Sequence, residues 1–414
     1  MTFYTNRSQI VEAQRCPRKR WWSQFSLPAP CQCGRKPSCP HCLGTGTVTG
    51  IEPLRQRAPL LLGRAVHRAL DYLLQNGLGG LEEAVSLAHA MYEAELEGRG
   101  LDLKVSEEQA YVASEQMALG EALVRLAALR VVPRLLDRYH VVWTERALEA
   151  PLAEGVTLWG RVDALLREKS TGDLYLLSWK TKGGASLDER ATEDAQHDDQ
   201  GLSETWLVEE WLEGQRGDLP TQTSGVIMVW LLKGDRREQP KGSGQWQQSS
   251  PLIRAYRRFN DAGEAEWAHS WYWEHNGSRH TLGKGWERLD AWTMEGGVKG
   301  WIDRLATGTV QPLAPSPLDT QFVVSSPYYR QPHDINDWVS QATGQEAEAG
   351  LLASSGHPMW FFKQHRHSCS YPSRCEFYDL CWSAPHKRED PLGNGFVRRG
   401  PHISLNGTGE RDNG

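Results

Sequence analysis

Between residues 141 and 232 the chain changes its hydrophobic period, and that change limits the folds open to it. Upstream, "APLLLGRAVHRALDYLLQ" repeats apolar residues at helical spacing until "NGLGG" ends the run. Two further helices are expected over roughly 81–97 and 105–139. Then "HVVWTERALEA", "VTLWGRVDALLRE" and "DLYLLSWKT" read as three consecutive strands, with "STGD" as a tight turn between the last two. A helix over about 193–214 and the apolar strand "SGVIMVWLLKG" follow. A strand–helix–strand run of this length implies a parallel pair with a right-handed crossover. "LIRAYRR" and "WAHSWYWE" read as antiparallel additions, and helices resume near 284. The expected class is α/β, a mixed central sheet flanked by helices, with helical N- and C-terminal parts.

At 414 residues and 39% hydrophobic content the chain can bury a sizeable core. No run of about 20 apolar residues is present, and "MTFYTNRSQIVEAQRCPRKR" has no apolar segment of the secretory kind, so a cytoplasmic protein without a membrane partner is expected. The formal net charge of −6 gives no global pull toward nucleic acid. Steering depends on distribution, however, and basic clusters occur at "RCPRKRWW" and "IRAYRRF". Each is more often a solvated face than a binding site. The organisation expected is an N-terminal lead (1–27), a Cys-rich insert (28–57), a helical region (58–140), an α/β core (141–310), a C-terminal helical part (311–384) and a polar, disordered tail (385–414).

The eight cysteines are clustered, which without an export signal points to metal rather than disulfides. Cys31, Cys33, Cys39 and Cys42 lie within twelve residues that cannot build a core of their own. Four thiolates so spaced suit tetrahedral Zn²⁺, with His41 a weaker ligand. Cys369, Cys375 and Cys381 lie near the C-terminus, and Cys16 stands more than 350 residues before them. Three close cysteines and one distant one are unusual for zinc, whose ligands come as two close pairs.

Asp163 on one strand and Lys180 on the next can share a face of the hairpin joined by "STGD". A carboxylate that holds Mg²⁺ or Mn²⁺, with a lysine beside a water, suffices for phosphodiester cleavage. Four short motifs run in order: "GRAVH" with His67, "GRVD" with Asp163, "SWKT" with Lys180 and "QGLSE" with Gln200. In that order they resemble the PD-(D/E)XK nuclease superfamily, and in particular its RecB-like branch, which includes the CRISPR-associated iron–sulfur exonucleases. The resemblance implies a restriction-endonuclease-like core, hydrolysis of DNA at single strands or duplex ends, and His67 and Asp163 as metal ligands. It also implies a four-iron four-sulfur cluster on Cys16, Cys369, Cys375 and Cys381, in a structural role. Zinc at the same four residues, or free thiols, remain the alternatives. Glu145 matches an acidic position of that branch, and a plain strand-surface acid is the other reading. "CPHCLGTG" resembles one repeat of the DnaJ-type zinc domain. Such a module serves as a structural knob or as a finger that meets DNA or a protein partner, and the sequence leaves these open.

Two positions depart from the family pattern. Ser178 stands where the second acid of the lysine strand belongs, and Glu204 where a tyrosine is usual. A serine hydroxyl is a poor ligand for Mg²⁺ and a glutamate a good one. Gln200 and Glu204 share a helix face. The expected site is therefore His67, Asp163 and Glu204 with the backbone carbonyl of Trp179 as metal ligands, and Lys180 as the catalytic lysine. Glu193, Asp194, Asp198 and Asp199 are alternative sources of the missing acid. A decayed site that binds DNA without cutting it is the rival reading, and a metal-bound scaffold is the third. Among eighteen tryptophans, Trp21, Trp22 and Trp179 are candidate stacking surfaces for bases.

Overall fold

The computed structural model describes residues 3–32, 47–53, 58–97, 107–184, 186–187, 189–196, 198–215, 219–238, 246–270, 272–275, 278–310, 315–354, 367–369, 375–382 and 388–399. The chain opens with β1 (Phe3–Thr5), α1 (Arg7–Arg15), α2 (Pro17–Arg20) and a π-helical turn over Trp21–Phe25. Short strands β2 (Ala29–Pro30), β3 (Thr47–Val48) and β4 (Ile51–Pro53) lie within the Cys-rich insert. Helices α3 (Ala58–Asn76), α4 (Leu81–Glu97), α5 (Glu107–Arg130) and α6 (Val132–Arg138) follow. The single helix expected over 105–139 is two, because Pro133 in the first turn of α6 has no N–H with which to continue α5.

The three expected strands are β5 (Tyr139–Ala153), β6 (Val156–Glu168) and β7 (Leu174–Lys182). Two helices, α7 (Glu189–Gln196) and α8 (Asp199–Glu213), lead to β8 (Val226–Leu232). They replace the one helix expected over 193–214. The Asp198 side chain caps α8 by accepting the Gly201 N–H at 2.9 Å, so α8 starts afresh. Beyond lie β9 (Arg236–Glu238), β10 (Trp246–Gln248), β11 (Arg254–Phe259), β12 (Ala265–Ala268), β13 (Tyr272–His275), β14 (Ser278–Thr281) and β15 (Glu287–Asp290). The chain ends with α9 (Gly297–Thr307), α10 (Pro317–Thr320), β16 (Phe322–Val324), α11 (Pro332–Ser354), α12 (Tyr378–Trp382) and β17 (Phe396–Arg398).

The central six-stranded sheet runs β1-β6-β7-β8-β16, with β5 also on β6. β7 and β8 are parallel, as the crossover requires, while β5, β6 and β7 form an antiparallel meander. β11 and β13 are not additions to this sheet. β11 lies between β12 and β15 in a separate three-stranded sheet, and β13 pairs with β14 alone. Nor is the tail wholly without structure: β17 pairs with β4, and Phe396 is buried against Phe377.

Alternation along β7 and β8 divides the core into two layers. Leu177, Trp179, Ile227 and Val229 face α3 to α6, whereas Leu174, Leu176, Val226 and Met228 face α8 and α11. Each such fully buried side chain contributes about 1.5–3 kcal/mol of apolar burial. Ser178 and Lys180 share the α8 face by parity. Trp179 is fully buried and Trp22 nearly so, which leaves neither free to stack on a base.

β6 is longer than its partners on one edge. β1 pairs with it from Val156 to Leu158 and β7 from Ala164 to Arg167. Among the described residues, no strand pairs with residues 159–163 on that edge. The sheet therefore has a notch between β1 and the departing end of β7.

Candidate active site

The notch collects the motif residues. The β6–β7 ladder stops at Ala164↔Leu177, and the next amide, that of Trp179, donates to Asp163 Oδ2 at 2.7 Å. Asp163 is thus held by the strand that carries Lys180. On the α8 side, Lys180 Nζ donates to Gln200 Oε1 at 2.5 Å. Gln200 Nε2 donates to Glu204 Oε1 at 2.6 Å and lies 3.4 Å from Ser178 Oγ. One glutamine thereby joins the lysine, the serine in the acid position and the carboxylate one helical turn on. Arg7, the first residue of α1, also reaches Gln200 Oε1, at 3.4 Å.

Glu204 is 6% exposed, and its Oε2 is buried without a hydrogen-bond partner. Burial raises its pKa to about 8; Asp163 adds to the rise, while Lys180 opposes it. Burial likewise raises Asp163, against Lys180 and the Trp179 amide. His67 approaches from the opposite layer, where Gly63 lets α3 come close: a Cβ there would lie 2.9 Å from Thr181 Oγ1. Burial first, then Lys180, lowers His67 to about 4, so its imidazole is neutral with a lone pair at pH 7.

The other acids have other roles. Asp198 caps α8 and pairs with Arg330 at 3.0 Å, and Asp199 accepts the Trp338 indole N–H at 3.1 Å. Glu193 and Asp194 are exposed on α7. A further acid, within electrostatic reach of Asp163, was missed in the sequence. Asp71, one turn after His67 on α3, is fully buried, and neither oxygen has a hydrogen-bond donor. Its carboxyl lies against that of Glu145, which with burial and Asp163 raises it well above the usual carboxylate range. Glu145 occupies a left-handed backbone conformation, φ 47°, inside β5 and also pairs with Arg161 at 3.1 Å. The available signal was an acid within the apolar stripe "ALDYLL", where acids are seldom buried unpaired.

Two carboxyls in contact need a shared proton or a cation between them. Asp71→Asn places an amide donor there and is expected to stabilise the metal-free protein by about 1–3 kcal/mol. Asp71 has a folded pKa above its unfolded one, so it supports the fold at low pH and loses that support as pH rises. The gain in urea denaturation is therefore expected to be larger at pH 8 than at pH 5; equal gains would count against the shared proton.

The basic clusters are largely consumed internally. Arg254 pairs with Glu115 and Asp290, Arg257 with Glu287 and Arg258 with Glu266. Lys19 pairs with Glu12 and Glu376, and Arg20 with Glu346.

The chain termini meet in a small core of Trp22, Ile51, Phe377, Leu380 and Phe396, against which Cys375 and Cys381 pack. Cys16 and Cys369 are buried, and the Cys375 amide donates to the Cys369 carbonyl at 2.9 Å. Burial pushes the Cys381 thiol up to about 11 and raises Cys375, each also within electrostatic reach of Cys16. Of the insert cysteines, Cys31 is described; Cys33, Cys39 and Cys42, with His41, lie outside the described residues. Among the described residues, no three His, Cys, Asp or Glu side chains are gathered closely enough to hold a metal ion. Glu204 is turned to Gln200 and Asp163 to the Trp179 amide.

In comparison with known families, residues 22–217 match the model of the PD-(D/E)XK nuclease superfamily. This stretch, just under half of the chain, resembles a PD-(D/E)XK nuclease superfamily domain. It contains His67, Asp163, Lys180, Gln200 and Glu204, while Cys16, Cys369, Cys375 and Cys381 all fall outside it. No curated protein matches the chain. The mixed sheet flanked by helices is the core expected of this superfamily. Among the described residues, no helix is long and apolar enough to cross a membrane.

Proposed function

We propose that the protein is a divalent-metal-dependent deoxyribonuclease acting on single strands or duplex ends. The observation that carries this reading is the Gln200 bridge, which brings Lys180 and the Glu204 carboxylate, whose Oε2 has no hydrogen-bond partner, to Ser178. Glu204 then supplies the acid that β7 lacks. His67, Asp163, Glu204 and the Trp179 carbonyl would hold Mg²⁺ or Mn²⁺. Neutral imidazole and two carboxylates are a suitable donor set, and the unpaired Glu204 Oε2 is the atom that most needs a cation. When bound, such an ion polarises the phosphate and lowers the pKa of a water. Lys180, oriented by Gln200, offsets charge on the phosphate and steadies that water. Ser178 leaves room for the longer glutamate.

A structural iron–sulfur cluster on Cys16, Cys369, Cys375 and Cys381 fits the joined termini. Arg18 and Lys19 beside these cysteines would offset the charge of four thiolates. Cys375→Ser in protein purified without oxygen is expected to lose visible absorption and bound iron together. The parent is expected to carry roughly four irons and four sulfides per chain. Zinc in place of iron in the parent would sink this assignment.

The nuclease reading is tested by incubating labelled single-stranded DNA with Mn²⁺ and the parent or Lys180→Ala. Metal-dependent cleavage by the parent, reduced about 10²-fold or more in the variant, is expected. Intact binding without cleavage would favour the second reading, a DNA-holding adaptor on the same fold, which Ser178 supports. Absence of DNA affinity at low salt would favour a metal-bound scaffold, its zinc insert engaging a protein partner.

A further inference from the structure

The notch in the sheet continues into a cavity of about 250 Å³ whose wall Gln200 and Glu204 share with the candidate active site. β6 residues 158–161 line one side, where Gly160 permits close approach of α8: a Cβ there would lie 2.7 Å from Leu207 Cδ1. Three arginines from distant parts of the chain line it: Arg7 at the start of α1, Arg161 on β6 and Arg399 after β17. Arg399 is brought there by the pairing of β17 with β4; its amide bonds the Gly50 carbonyl at 3.1 Å and its Nη1 the Ser23 carbonyl at 3.1 Å. The first turn of α1 adds Asn6 and Ser8. The amides of Arg7 and Ser8 lie in the first turn and so have no intrahelical acceptor, and the Asn6 side chain caps the amide of Gln9 instead. Glu204 is the one carboxylate in the lining, and Gln200 engages it.

We propose that this cavity receives the terminal phosphate of a nucleic-acid strand, so that the enzyme recognises phosphorylated ends. The inference rests on the nuclease reading above and adds the feature of the substrate that is bound. Arg161 is held by Glu145, so the guanidiniums of Arg7 and Arg399 with the helix N-terminus match a dianion, and a phosphomonoester carries close to two negative charges where an internal phosphodiester carries one. Guanidinium forks also suit the three free oxygens of a terminal phosphate. The wall shared through Gln200, which touches both Arg7 and Lys180, places the bound end beside the cutting position.

The test is fluorescence anisotropy in EDTA with single-stranded oligonucleotides ending in 5′-phosphate, 3′-phosphate or hydroxyl groups. The parent is expected to bind one phosphorylated end at least tenfold more tightly than the hydroxyl-ended strand. Which end gains reports the orientation of the strand. Arg399→Gln and Arg7→Gln are each expected to remove most of that preference and to leave hydroxyl-ended affinity nearly unchanged. Arg7→Gln decides alone if the other variant does not fold. Equal affinity for all three ends in the parent overturns the proposal while leaving Mn²⁺-dependent cleavage standing. Loss of general affinity in the variants, with the preference kept, assigns the arginines to internal phosphates and also overturns it. No DNA binding and no cleavage removes both readings.

Discussion

Glu204→Gln is expected to lower Mn²⁺-dependent cleavage by about 10²-fold or more while leaving the metal-free fold intact. Glutamine keeps the shape and the contact with Gln200 but offers no anion. Burial pushes the metal-free carboxyl up to about 8, and its Oε2 has no hydrogen-bond partner. Its folded pKa lies above the unfolded value, so protonation supports the fold at low pH. That support is lost as pH rises from about 4.5 toward 8. Metal-free parent protein should therefore unfold at lower urea at pH 8.5 than at pH 6, and Glu204→Gln should flatten this dependence. A cation at this position must displace the proton, so Mn²⁺ affinity should rise over the same interval. Calorimetry in two buffers of different ionisation enthalpy would show the proton released. Full cleavage by Glu204→Gln, or Mn²⁺ affinity independent of pH, would move the second acid elsewhere. Asp71, already against Glu145 and near Asp163, would be the first alternative.

How much of this site could be read in the sequence follows from what patterning encodes. Asp163 and Lys180 were legible because strands alternate, and because a tight turn fixes which residues of a hairpin meet. The contact of Glu204 with Gln200 was legible because residues four apart on a helix share a face. The parallel β7–β8 pair followed from chain length and handedness alone. Asp71 was not legible as a site residue, since helical spacing places it on the buried face without saying what lies opposite. Opposite lies Glu145, whose left-handed conformation inside a strand has no sequence signal when the residue is not glycine. The phosphate cavity was hidden for another reason. It needs β1, three residues long, to stop at Thr5, opposite Leu158, and a strand so short has no period to read. The basic clusters misled in the other direction. Composition marks them as candidate surfaces for DNA, yet most of their charges meet carboxylates from elements far away in sequence.

Among those internal pairs, Arg20 and Glu346 should give the largest stability effect in the molecule. Both are almost completely excluded from water, 1% and 0% exposed, and they meet at 2.7 Å. Arg20 also donates to Thr5 Oγ1 at 3.3 Å and lies over the ring of Phe25. Its Nε and Nη1, and Glu346 Oε1, have no hydrogen-bond partner. A buried pair so incompletely satisfied gains little net energy over apolar neighbours, because desolvation of both charges offsets their attraction. Removing one partner is a different matter. Glu346→Ala leaves a guanidinium buried without a counterion and is expected to cost about 3–5 kcal/mol. The double variant Arg20→Met with Glu346→Leu fills the same space without charge and should fall within about 1 kcal/mol of the parent. Urea denaturation of the two single variants and the double completes the cycle. A Glu346→Ala cost below about 1 kcal/mol would mean that water reaches the pair. The pair also anchors the N-terminal segment to α11, since Arg20 lies on α2, four residues after Cys16, and its bond to Thr5 fixes the end of β1 just before Arg7. Glu346→Ala should consequently weaken phosphate-end preference and bound iron in the same preparation, whereas the double variant should keep both. Restoration of stability without restoration of these two would show that Arg20 contributes charge, and not only position, at the notch.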